Sequence, residues 1–218
     1  GGNVHVQGNN VDSCKHVILK GVVAVDGRAS FGAGINILSC VVALVEAKVA
    51  GNQAEHAGGG VRLESADCRM VEASINHNRA EYGGGIQLLG TVKLVIEQPL
   101  TIANNMAGTG GGGIASDNSN FQIHALSEDV LSIKKNKAAF GGGVYVRNGK
   151  GSIYNGSIIG NVATLKGGGM YVGDSLVSLK EVNVQNNFAV SVDRSLRVRQ
   201  TTLPEFFGQV NTDGNDYI

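Results

Sequence analysis

Short runs of the chain place aliphatic residues at alternate positions. Val4 and Val6, Ile35 and Ile37, Val61 and Leu63, Ile86 and Leu88, Val144 and Val146, and Met170 and Val172 are such pairs. Ile114 and Ser116 occupy the same places. In an extended chain, successive side chains point to opposite faces, so each pair shares one face. A second alternating stretch follows, with Val42 and Leu44, Cys68 and Met70, Val92 and Leu94, and Val177 and Leu179. A third comes next, with Ala47 and Val49, Ala73 and Ile75, Leu100 and Ile102, Leu131 and Ile133, and Val182 and Val184. No stretch sustains the 3.6-residue period of an amphipathic helix. The pattern predicts about three short strands per repeat and excludes the helical repeat families.

A recurring phrase sets these runs in phase: Asn, any residue, Ala, then a Gly run and an aliphatic. It reads from Asn52 to Gly58-Gly59-Gly60-Val61 and from Asn78 to Gly83-Gly84-Gly85-Ile86. It continues from Asn105 to Gly111-Gly112-Gly113-Ile114, from Asn136 to Gly141-Gly142-Gly143-Val144, and from Asn161 to Gly167-Gly168-Gly169-Met170. Gly27-Arg28-Ala29 begins a weaker first copy, and Asn187-Phe188-Ala189 has no Gly run after it. Successive anchors from 27 to 187 lie 25, 26, 27, 31, 25 and 26 residues apart.

Three strands in each such period predict an all-β fold, a single-stranded parallel β-helix of about seven coils of ~25 residues. The coils are expected to begin near residues 1, 32, 58, 83, 111, 141 and 167. Stacking at ~4.8 Å puts like residues on like, which explains the aliphatic columns. Asn52, Asn78, Asn105, Asn136, Asn161 and Asn187 are expected to form a buried side-chain ladder at one bend. Gly59, Gly84, Gly112, Gly142 and Gly168, with their flanking glycines, are expected at tight corners. Glu97-Gln98-Pro99 and Asp117-Asn118-Ser119-Asn120 read as bulging inserts. Residues 1–189 form the coils, and 190–218 read as a degenerate coil or cap. The start carries no such cap, which points to a segment of a longer protein.

Composition sharpens this picture. With 33 Gly, no Trp and 5% aromatic residues, the core must be aliphatic. Eighteen Lys and Arg balance eighteen Asp and Glu, so the footprint of a nucleic-acid binder is missing. No apolar run is long enough for a membrane-spanning helix. Cys14, Cys40 and Cys68 make no disulfide framework or zinc motif, and they read best as small buried hydrophobes. Cys14 and Cys40 nevertheless fall close enough in the repeat to be neighbours on adjacent coils.

The repeat phrase resembles that of chlamydial polymorphic outer membrane proteins, whose repeats carry a Gly-Gly-Ala-aliphatic and a Phe-x-x-Asn element. Gly83-Gly84-Gly85-Ile86 corresponds to the first, with Gly in the Ala place. Ile75-x-x-Asn78, Ile133-x-x-Asn136, Ile158-x-x-Asn161 and Val184-x-x-Asn187 correspond to the second, with an aliphatic in the Phe place. The resemblance spans about residues 27–189. It implies a right-handed, pectate-lyase-like β-helix at a cell surface, often adhesive.

Because many parallel β-helices cleave polysaccharides, the acids need weighing. Glu46 and Glu72 share one repeat position and would lie ~5 Å apart on adjacent coils. Asn211-Thr212-Asp213-Gly214 is similar to an element of polygalacturonase-type hydrolases, with Asp213 in the catalytic place. These three are the candidates should the chain be an enzyme, and a solvated outer face is the plainer reading of the glutamates. The five His occupy different repeat positions, so no metal or cofactor site is expected. Asn155-Gly156-Ser157 is a glycosylation sequon, expected just outside a strand. The leading expectation is an extracellular or cell-surface structural or adhesive module without catalysis. Its partners would be surface glycans, protein or further coils of the same protein. The alternatives are a carbohydrate-active enzyme or its fragment, and a segment of a filament.

Overall fold

The structure is a computed structural model that describes residues 2–10, 14–127 and 129–190. The chain winds into a β-solenoid of about seven turns, and all its strand pairs are parallel. Three sheets run along it, as the repeat predicts. Sheet A stacks seven strands: Val4–Gln7, Ile35–Leu38, Val61–Glu64, Ile86–Leu89, Ile114–Asp117, Val144–Arg147 and Met170–Gly173. Their register keeps the aliphatic column intact, with Val4 beside Ile35, Ile35 beside Val61, and Val144 beside Met170.

Sheet B holds both mid-repeat stretches, for example Val41–Val45 and then Lys48–Ala50. In the last two coils the pair fuses into Lys150–Ile159 and Leu176–Gln185, which joins both ladders into one sheet. Sheet C is the segment after each Asn, such as Gln53–Ala57 and Arg79–Tyr82. The apolar pattern did not reveal it as strand. It buries little besides its alanine (Ala54, Ala80, Ala107, Ala138 and Ala163), because the neighbouring Gly corner leaves no depth for a larger side chain.

Each corner is made by a residue in the left-handed region, which turns an extended chain sharply within one step. Ser39, Ser65, Asn118, Asn148 and Asp174 turn sheet A into sheet B. Asp26, His77, Asn104, Lys135 and Asn186 turn sheet B into sheet C. Glu46, Glu72, Asn155 and Glu181 kink sheet B itself. Asp117–Asn120 is therefore a regular corner and not a bulging insert. The Ser119 hydroxyl donates to the Asp117 carbonyl at 2.7 Å and accepts from the Gly90 amide at 3.0 Å. The extra residues of the neighbouring coils lie at the sheet B kink, at 97–99 and between the strands that end at Ala125 and begin at Leu131.

The interior is a stack of aliphatic side chains, including Ile35, Ile37, Leu63, Ile86, Leu88 and Ile102, all fully buried. Each contributes about 1.5–3 kcal/mol by leaving water. Phe121 is the aromatic residue of this core among the described residues.

Candidate functional site

The predicted asparagine ladder is present. Each Oδ1 accepts from the backbone N–H and the Nδ2 of the Asn one coil before, as Asn105 does from Asn78 at 2.9 and 3.0 Å. Each Nδ2 also donates to a carbonyl of the preceding coil, as Asn105 does to Ile75 at 3.0 Å. The amides are buried and their capacity is used, which is the condition for tolerating polar groups in a dry corner. The pattern runs through Asn52, Asn78, Asn105, Asn136, Asn161 and Asn187.

The three glycines of each run have different reasons. The first has a positive φ, +60° at Gly83. At the second, a Cβ would strike backbone, as at Gly59, where it would lie 2.6 Å from the Gly84 carbonyl oxygen. At the third it would strike the ladder, as at Gly60, 2.9 Å from the Asn78 Nδ2. Nothing in the corner is left for a phosphate cradle, since these amides bond the adjacent coil, as Gly84 N–H does to Gly111 at 3.1 Å.

Glu46 and Glu72 do lie at matching kinks on adjacent coils, both exposed. The Lys20 ammonium is 3.5 Å from the Glu46 carboxylate. Asp213 lies outside the described residues. Among the described residues, no group of three or more His, Cys, Asp and Glu is gathered as a metal ion would require. Asn155 is inside the strand Lys150–Ile159 and not beyond its end. There it takes φ +58°, and its Nδ2 donates to the Ala125 carbonyl at 2.7 Å. The cysteines divide. Cys14 and Cys40 form a disulfide between adjacent coils, with Cα atoms 4.7 Å apart, where packing alone was expected. Cys68 is free and buried as expected, and burial pushes its thiol up to about 12.

A feature absent from the sequence reading lies on the outer side of sheet A. The residue between the two aliphatic columns faces outward, yet Asn36, Gln87, Ala115 and Tyr145 are only 7, 2, 0 and 3% exposed. Sheets A and C therefore meet at a re-entrant angle and enclose a valley along the axis, with the Gly corners as its floor. Register shifts near the ends of sheet C strands align Phe31, Ala57, Tyr82, Gly110, Phe140 and Lys166 in one column along its edge. Five of the eight described Phe and Tyr residues gather here: Phe31, Tyr82, Phe140, Tyr145 and Tyr171. Tyr145 stacks on Tyr171 with centroids 5.5 Å apart and reaches Tyr82 at 6.0 Å, and Phe140 lies 5.2 Å from Tyr171. A Cβ on Gly110 would lie 2.8 Å from the Tyr145 ring, so this glycine makes room for the aromatic.

Two ion pairs lie along the valley. Arg147 binds Asp117 bidentately at 2.6 and 3.2 Å, and these bonds push its guanidinium further up. Arg62 pairs with Glu64 and lies over the Phe31 ring at 5.4 Å. Burial pushes the Tyr145 phenol up to about 12. Of four buried side-chain atoms without partners among the described residues, two lie here: the Arg62 Nε donor and the Gln87 Oε1 acceptor, on residues that are direct register neighbours.

Compared with family models, curated proteins and solved structures, the chain matches none.

Proposed function

We propose that the chain is a rigid extracellular or cell-surface module that presents a recognition surface and performs no catalysis. The observation that carries this reading is the Cys14–Cys40 disulfide, because such bonds persist in oxidising compartments. The likeness of the repeats to those of polymorphic outer membrane proteins supports the same setting. The stacked coils supply stiffness, since neighbouring turns are laced by backbone bonds and by the asparagine ladder. Glu46 belongs to an exposed ion pair at a kink of sheet B, an arrangement suited to solvation more than to acid–base work.

The test joins thiol counting to a turnover assay. Protein from its native source should yield one thiol per chain after denaturation. It should release neither reducing ends nor unsaturated products from neutral or acidic polysaccharides. Three free thiols would overturn the compartment. Turnover lost in Glu46→Gln, Glu72→Gln or Asp213→Asn would overturn the absence of catalysis.

A further inference from the structure

We infer that the valley between sheets A and C is a binding site for an extended, uncharged polysaccharide lying parallel to the solenoid axis. The inference rests on the recognition reading above and names its ligand class.

Four observations meet in this one groove. First, it is linear. Its sheet A side runs from Asn36 in the second coil to Tyr171 in the seventh, five steps of ~4.8 Å or roughly 24 Å. That length suits a chain of several sugar rings and exceeds what a small metabolite needs. Second, it holds aromatic faces in a protein otherwise poor in them. Phe31 is exposed, and Tyr82, Phe140 and Tyr171 are partly so. The C–H faces of pyranose rings stack on such surfaces, which carry the negative side of the ring quadrupole. In the sheet C column, large and small residues alternate as Phe31, Ala57, Tyr82, Gly110 and Phe140, and Lys166 follows. The aromatics thus recur every second coil, at ~9.6 Å, about the length of two rings of an extended β-linked chain.

Third, Arg62 Nε is an unpaired donor and Gln87 Oε1 an unpaired acceptor, on residues that are register neighbours. Gln87 is 2% exposed, so its carbonyl lacks free access to bulk water. Both atoms are covered in the free chain, so a sugar hydroxyl pairs with them only where a neighbouring side chain swings aside. Fourth, the two arginines near the valley are engaged, Arg62 by Glu64 and Arg147 by Asp117, and Lys166, which ends the sheet C column, is the further cation beside it. Neither guanidinium is free to hold an acidic polymer, which favours a neutral one.

The chain contains no Trp, so its emission comes from five tyrosines, three of which, Tyr82, Tyr145 and Tyr171, lie in the valley. The full chain is titrated with hexamers of β-1,4-glucose, β-1,4-mannose and β-1,4-N-acetylglucosamine, with polygalacturonate as the acidic comparison. The expected result is saturable binding of at least one neutral hexamer by calorimetry and tyrosine emission, at most weakly opposed by salt. Tyr171→Ala and Gln87→Leu should each weaken it roughly ten-fold or more. Lys93→Ala, on the outer face of sheet B, should leave it unchanged. Tyr171→Phe keeps the ring and should bind, which separates stacking from loss of fold. No binding of any hexamer, binding indifferent to Tyr171→Ala and Gln87→Leu, or preference for polygalacturonate would overturn the inference. These outcomes leave the thiol count and turnover results untouched, so the two readings fail separately.

Discussion

The Nδ2 of Asn3 lies 3.1 Å from the Oδ1 of Asn52, in the space that a side chain at position 27 would fill. Position 27 is Gly where later coils have Asn, and its own N–H still donates to Asn52 Oδ1 at 2.8 Å. Asn3 occupies the place of the third corner glycine, next to the first aliphatic of sheet A. Asn and Gly have thus exchanged places between the two positions, and the ladder keeps its donor. The Asn3 amide turns its other hydrogen to the Val25 carbonyl at 2.8 Å. A Cβ on Gly27 would lie 2.9 Å from Asn3 Nδ2, so the two substitutions depend on each other.

The exchange predicts coupling. Asn3→Gly should cost about 1 kcal/mol by removing the outermost rung, and Gly27→Asn somewhat more by crowding. The double variant should be more stable than the two losses added together, because it restores the rule of the other coils. A double-mutant cycle in urea unfolding measures the difference, and simple additivity would refute the pairing.

Within the ladder the stakes are higher. Asn105→Ala removes the acceptor of two Asn78 donors and the donor to Ile75 and Asn136. A loss of about 3–5 kcal/mol is expected, since buried groups are left unpaired. Asn105→Asp should be nearly as damaging at neutral pH and partly rescued in acid, where the protonated carboxyl can donate again. Unfolding midpoints at the two pH values check this.

Reducing the Cys14–Cys40 bond should lower stability by about 3 kcal/mol, given its separation of 26 residues. The melting temperature should fall on adding a reductant, and Cys40→Ala should abolish that response. An equal response in Cys40→Ala would show that another process is involved.

Alkali should destabilise the fold in two stages. Cys68 ionises near 9.0 in the absence of burial but near 12 in the folded chain, and Tyr145 moves from 10.0 to about 12. In each case the folded state holds its proton longer than the unfolded state. The stabilisation is complete below the unfolded value and is lost as pH rises toward the folded one. Unfolding free energy should therefore begin to fall above pH 9, and in Cys68→Ala the fall should begin nearer pH 10. For the same reason, Cys68 should resist thiol reagents until the chain unfolds.

Much of this architecture is visible in the chain because an in-register solenoid stacks like on like. One requirement then repeats in every coil, and repetition turns it into a column. The Ile35–Val61–Ile86 column, the asparagine ladder and the glycine corners were all legible for that reason. Sheet C was hidden because a strand that buries little more than an alanine leaves no alternating signature. The disulfide, the exchange of Asn3 with Gly27 and the aromatic valley were decided by tertiary structure alone. Each depends on how close two separate coils or sheets approach, and on the angle at which they meet. Tyr145 and Gln87 sit at outward positions, which in one strand read as solvated. Only the re-entrant angle between sheets A and C takes them out of water.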